Sequence, residues 1–138
     1  MKDIRPALRT YLLSDPTVSG MVGGARIYHV RLDQDVVEPS VVFVKVSETG
    51  DYHLAGDSGL GLLRMQIDAW AQKSDQATEL ANAVYDRLTG ARTRVELGGA
   101  DYVDLRGVFL ANGRDDYDDV VQLFRTSRDF IIWYDARQ

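Results

Sequence analysis

Cysteine is absent from the chain, and histidine occurs only at His29 and His53. The first absence removes thiol nucleophiles, thiolate zinc sites and any disulfide framework; the second leaves a metal site dependent on two imidazoles plus carboxylates. Lys and Arg number 16 against 21 Asp and Glu, a formal net charge of −5. That is the wrong sign for a surface built to grip phosphates, so tight nucleic-acid binding is not expected. No apolar run approaches the roughly 20 residues that cross a bilayer, and the opening Met1-Lys2-Asp3-Ile4-Arg5-Pro6 breaks into charge at once. Neither a membrane span nor a standard export signal is expected. Also missing are a P-loop, a G-x-G-x-x-G after a strand, an H-E-x-x-H helix and a G-x-S-x-G elbow, so the sequence points away from an enzyme and calls for no cofactor. What is present is 138 residues, 45% hydrophobic and 27% charged, the balance of one globular domain over 1–138. A domain of that size buries roughly two-thirds of its unfolded surface and holds a core without staples.

Apolar residues at Ile4, Ala7, Leu8, Tyr11 and Leu12 form a helical stripe, with Asp3 as its expected N-cap and Pro6 in the first turn, where no N–H is needed. Asp15-Pro16 repeats the signal for one short turn, closed by Gly20 and Gly23-Gly24. Strands are expected over 26–32, 40–48 and 62–71, the last alternating Leu63, Met65, Ile67 and Ala69 against Arg64, Gln66 and Asp68. Between the latter two, Gly50 to Gly59 reads as a long loop at the tip of an extended hairpin. Ser74 is the expected cap of a helix that runs to Gly90, and 102–112 and 120–134 read as two further strands joined by an acidic turn from Gly113 to Asp119. The resulting order α-β-β-β-α-β-β is an α+β fold: a largely antiparallel or mixed sheet of four to five strands with two main helices on one face.

Two helices about 10 Å wide cover about four strands spaced about 4.8 Å apart, on one side only. Yet Ser40 to Val46 and Phe130 to Tyr134 are apolar at both parities, where a water-facing side would alternate. The second face therefore calls for a partner, and further copies of the chain supply one, making a homo-oligomer.

The polar groups weigh toward structure. Asp51, His53 and Asp57 reproduce no metal-ligand spacing, and a solvated loop accounts for them better. The cluster Asp115, Asp116, Asp118 and Asp119 lacks the central Gly and terminal Glu of a calcium loop. Arg64, Asp68, Arg106, Arg125, Arg128 and Asp129 lie within strands, as cross-strand pairs or as salt bridges between subunits. Trp70, Trp133 and Tyr134 belong in the core or at a subunit seam rather than under nucleobases, because no basic patch accompanies them. A small ligand-binding or enzymatic module with a pocket near His53 and Asp68 is the competing class.

Taken as an ordered set, several segments resemble the tail-completion proteins of long-tailed bacteriophages, also called tail terminators or head-to-tail joining proteins, with relatives in prophages and gene transfer agents. They are Asp15-Pro16, Val22-Gly23-Gly24-Ala25-Arg26-Ile27-Tyr28, Glu38-Pro39-Ser40-Val41-Val42, Asp51-Tyr52-His53-Leu54, Gln66-Ile67-Asp68-Ala69-Trp70-Ala71 and Asp129-Phe130-Ile131-Ile132-Trp133-Tyr134. Ala25 stands as an insertion relative to the family pattern. The resemblance covers nearly the whole chain. It implies a non-enzymatic virion protein that forms a hexameric ring at the head-proximal end of the tail tube. Such a ring stops tube polymerisation and meets the head connector, while DNA passes through its lumen without specific binding. The expected partners are other copies, the tail tube protein and the connector proteins, assembled in the host cytoplasm and retained in the virion tail. On this reading Asp51, Tyr52, His53, Leu54 and Asp57 reach a neighbouring subunit or the last tube ring, and Trp70, Arg125, Arg128, Trp133 and Tyr134 are candidates for the subunit seam. Other ring proteins of the same machinery, a connector adaptor or a tube subunit, are the alternatives.

Overall fold

A computed structural model describes residues 3–53 and 56–135, with 51–53 and 56–59 described by backbone alone. Helices α1 (Arg5–Leu13) and α2 (Pro16–Met21) precede strands β1 (Ile27–His29), β2 (Ser40–His53) and β3 (Gly56–Ala71); α3 (Ser74–Leu88) leads to β4 (Thr93–Gly98), β5 (Asp101–Asp118) and β6 (Leu123–Asp135). The strands form one sheet in the order β1-β2-β3-β6-β5-β4, with β1 parallel to β2 and every other pair antiparallel. The class is α+β as expected, with six strands rather than four to five.

The helix stripes fold as their spacing dictates. Ala7, Leu8 and Leu12 of α1 and Leu80, Ala81, Val84 and Leu88 of α3 are buried against Val41, Phe43, Leu63, Met65, Phe130 and Ile132 from one side of the sheet, the helical face. Each large aliphatic side chain buried there contributes about 1.5–3 kcal/mol. Arg128 pins α3 to β6, donating from Nη1 to the Ala81 carbonyl at 3.1 Å and from Nη2 to Asn82 Oδ1 at 2.6 Å. Asp3 lies one residue outside the cap position of α1, which Ile4 takes; its Oδ1 still accepts the Arg5 backbone N–H at 3.0 Å. Ser74 is likewise the first helical residue of α3 and Lys73 is the cap, so the free N–H groups of that end are served by Asp75 Oδ1, which accepts from Gln76 N at 2.9 Å.

Three expectations are corrected. The segment 50–59 is not a long loop: β2 and β3 continue through it, pairing Gly50 with Gly61, Tyr52 with Asp57 and His53 with Gly56. Leu54 and Ala55 lie outside the described residues. The acidic segment 113–118 is strand, paired from Gly113–Arg128 to Asp118–Leu123, and the turn is confined to 119–122. In both cases cross-strand hydrogen bonding within the hairpin overrides the weak β-propensity of Gly and Asp. Finally, 93–98 forms β4, an edge strand that buries only Val95 deeply and so lacks the alternation that marks a strand.

The second face of the sheet, the open face, also differs from expectation. At one end the chain covers it: Val42, Trp70 and Leu123 are buried beneath Tyr28, Leu32 and Val44. Over the rest, the alternate positions of β3, β6 and β5 carry paired charges together with an apolar stripe of Leu62, Trp133, Ile131 and Phe109, the last of them 56% exposed.

Candidate assembly interface

The charges of the open face form a ladder of ion pairs. Arg94 donates to Asp104 Oδ1 and Oδ2 at 2.7 and 3.1 Å, Arg106 lies 3.5 Å from Asp135, and Arg64 lies 3.0 Å from Asp129 Oδ2. Arg114 approaches Asp129 Oδ1 at 3.6 Å and donates to Gln66 Oε1 at 2.9 Å; Arg125 holds Asp116 and lies 3.9 Å from Asp68. Asp68, only 3% exposed, is the most enclosed carboxylate of the set. Ser127 Oγ donates to its Oδ1 at 2.6 Å and Gln66 Nε2 to both oxygens at 3.0 Å. Burial pushes the Asp68 carboxyl above its ordinary range, opposed by the Ser127 and Gln66 hydrogen bonds and the Arg125 charge. The Arg94 hydrogen bond holds Asp104 below its ordinary range. Each of these guanidiniums already faces a carboxylate, so the ladder offers little free positive charge to a passing phosphate backbone.

The anticipated seam residues divide between the two faces. Trp70 is 8% exposed, with the Arg125 guanidinium 5.1 Å above its ring, on the open face. Trp133 is half-buried there, opposite Leu62 and Gly107. Tyr134 is fully buried on the helical face, where its hydroxyl donates to Glu48 at 2.8 Å. Burial and the Glu48 carboxylate hold that phenol above its ordinary value. Arg128 is spent on α3, as described, and its guanidinium lies 5.7 Å from the Tyr85 ring. Asp51, Tyr52, His53 and Asp57 occupy the far end of the β2–β3 hairpin, which runs past the last β3–β6 pair, Leu60–Asp135. The backbone places His53 and Asp68 far apart. Asp68 pairs with Val42 near the start of β2, so more than about 30 Å of strand separates it from His53. A groove of about 290 Å³ does lie beside Asp68, lined by Arg31, Trp70 and Arg125 among others, but the Asp68 carboxylate is engaged by its own neighbours.

Sequence reasoning missed the shape of the sheet boundary. β1 pairs β2 only over Val41–Phe43, and β4 pairs β5 only over Asp101–Leu105. Val30 N–H closes the β1 side by donating to the Phe43 carbonyl, and Gly90 N–H closes the β4 side by donating to the Val108 carbonyl. Beyond those caps, 44–53 of β2 and 109–118 of β5 have no strand on their outer side among the described residues. The two free edges lie at opposite ends of the molecule and are equal in length.

Long unpaired strand edges around a neutralised face, with no convergent acid, base and nucleophile among the described residues, define the surface of an assembly subunit rather than a reaction site. Residues 6–135 match the family described as tail completion protein gp17, and the chain belongs to that family. It is accordingly a structural component of a phage-type virion tail and not an enzyme. In fold it is similar to a chain of the structure described as "Virion of native gene transfer agent (GTA) particle", with a TM-score of 0.72 and 16% identity over 93% of this chain and 91% of that one. Among curated proteins none matches.

Proposed function

We propose that this protein forms a ring on the head-proximal end of the tail tube, where it halts tube polymerisation and presents a surface to the head connector. The observation that carries this reading is the family match across 6–135. Two features of the molecule support it. A ring needs heterologous contacts, different patches of each copy meeting around a closing rotation, and the free edges of β2 and β5 are two such patches. A lumen that lets DNA pass must not trap phosphates, and a ladder whose guanidiniums already face carboxylates suits that task.

The protruding end of the β2–β3 hairpin is the element assigned to the last tube ring or a neighbouring copy. The test is to produce particles without this protein and image their tails. The reading requires overlong tails lacking heads; tails of normal length joined to heads would contradict it. Purified protein added to growing tubes in vitro should stop elongation. Self-assembly into long tubes by the purified protein alone would instead identify a tube subunit.

A further inference from the structure

The free edges of the sheet carry a second, sharper inference. Unpaired backbone N–H and C=O groups along an edge are a template for another strand, and native proteins either cover such edges or blunt them with charges and bulges. Among the described residues the edges without an outer strand are 44–53 of β2 and 109–118 of β5. β2 runs antiparallel to β3, β3 to β6 and β6 to β5, so β2 and β5 point in opposite directions. A second copy placed beside the first in the same orientation therefore meets β5 with an antiparallel β2.

Three constraints bear on the stagger of that meeting: the free segments must overlap, the pleats must keep their faces continuous, and the ring must close; the register that follows meets all three. Thr49 pairs with Leu62, which shares the open face with Arg64, and Asn112 pairs with Asp129 on the same face. Setting Thr49 of one copy opposite Asn112 of the next aligns the faces and lays 47–49 against 112–114 within both free edges. Asn112 is level with Asp129 and Gln66, whereas Thr49 is level with Leu62, so each copy is displaced by four residues along β3. Four residues are about 14 Å of strand, and β2, β3, β6 and β5 together span about 19 Å across the sheet. The strands then tilt about 35° from the ring axis, within the range in which twisted sheets close into barrels. Bulges occur in β2, at Lys45/Ser47 and Gly50/Tyr52, and in β5, at Leu105/Gly107 and Leu110/Asn112, but not in the β3–β6 ladder between them. Bulges are the devices that bend edge strands and guard them against indiscriminate pairing.

We infer that copies of this chain join edge to edge, 44–53 of β2 pairing antiparallel with 109–118 of β5 on the next copy, so that the sheets run continuously around the ring. The helices, the bulkier layer, take the outer circumference, and the ion-pair ladder faces the lumen. This inference rests on the ring reading and adds the pair of surfaces that makes the ring.

Because the chain has no cysteine, a disulfide reports the contact without background. In particles assembled with the double variant Thr49→Cys/Asn112→Cys, mild oxidation should convert most of the protein into a ladder of covalent multimers, and each single variant should give none, since a heterologous contact never places a residue against itself. Tails of normal length carrying the double variant with no covalent multimers would overturn the edge pairing while leaving the ring reading intact. Overlong tails in particles lacking the protein check the ring reading separately. Should the double variant fail to assemble, chemical cross-linking and mass spectrometry of wild-type particles supplies the readout. Cross-links between Lys45 and the carboxylates of 115–118 support the pairing, and inter-subunit cross-links confined to the helices overturn it.

Discussion

The centre of the sheet and its rim obey different rules. The β3–β6 ladder pairs without interruption from Leu60–Asp135 to Ala71–Phe124, and α3 packs across it. On either side, β2 and β5 are bulged, run beyond their outer neighbours and end in Gly- and Asp-rich segments. The centre completes its backbone ladder and buries the apolar side chains of its helical face within one chain. The rim leaves both tasks unfinished. Stability therefore resides in the middle of this molecule and association at its margins, and substitutions in the two regions should separate cleanly.

The largest effect is expected at the centre. Phe130 is fully buried in the β3–β6–α3 core, with its ring 6.4 Å from that of Tyr85. Phe130→Ala should cost about 3–5 kcal/mol in denaturant unfolding, a large share of the stability of a domain this size. Next is Gly61, where a Cβ would meet the Tyr134 hydroxyl oxygen and Cε1 at 2.7 Å. Tyr134 is buried and held by Glu48, so it has no room to yield, and Gly61→Ala should lose about 1–3 kcal/mol by the same measurement. A loss no larger than that of an exposed substitution would show that the centre is looser than described.

Asp68 sharpens the comparison through pH. Burial makes its carboxyl keep its proton in the folded chain to a higher pH than the ordinary 3.8 of the unfolded one. Between those two values the folded state binds more protons than the unfolded, so the Asp68 contribution to stability falls as pH rises through that window. Asp68→Asn keeps an acceptor for Ser127 and removes the titration. Thermal melts should show the variant gaining on the parent as pH rises through the window and then keeping a constant offset; the parent gaining on the variant over that window would reverse the assignment. The smallest effect belongs to the rim. Val120, 93% exposed at the β5–β6 turn, should change stability by less than about 0.5 kcal/mol when replaced by Ser.

The same division decided what was legible in the sequence. α1, α3, β3 and β6 announce themselves because their apolar periodicity is the imprint of the core they build. β4 left no such imprint, since an edge strand with one deeply buried residue, Val95, has nothing to alternate against. The extensions of β2, β3 and β5 were hidden for a related reason: Gly and Asp at 50–59 and 113–118 favour turns locally, and the hairpin pairing that holds them extended leaves no mark on residue type. Apolar residues at both parities of β2 and β6 pointed to a second face in need of cover. Part of that cover is the chain's own, from Tyr28 and Leu32, and the charges of β3, β5 and β6 fill much of the remainder by pairing with one another. The free edges were invisible because an edge is a property of topology, not of any residue type.

A reconstruction of the protein bound to the end of its tail tube tests the central claim most directly. The account predicts a closed ring in which β2 of each copy lies hydrogen-bonded to β5 of the next, with Thr49 beside Asn112 and the helices outermost. A ring whose copies meet through α1 and α3, leaving 44–53 and 109–118 exposed to solvent, would contradict it.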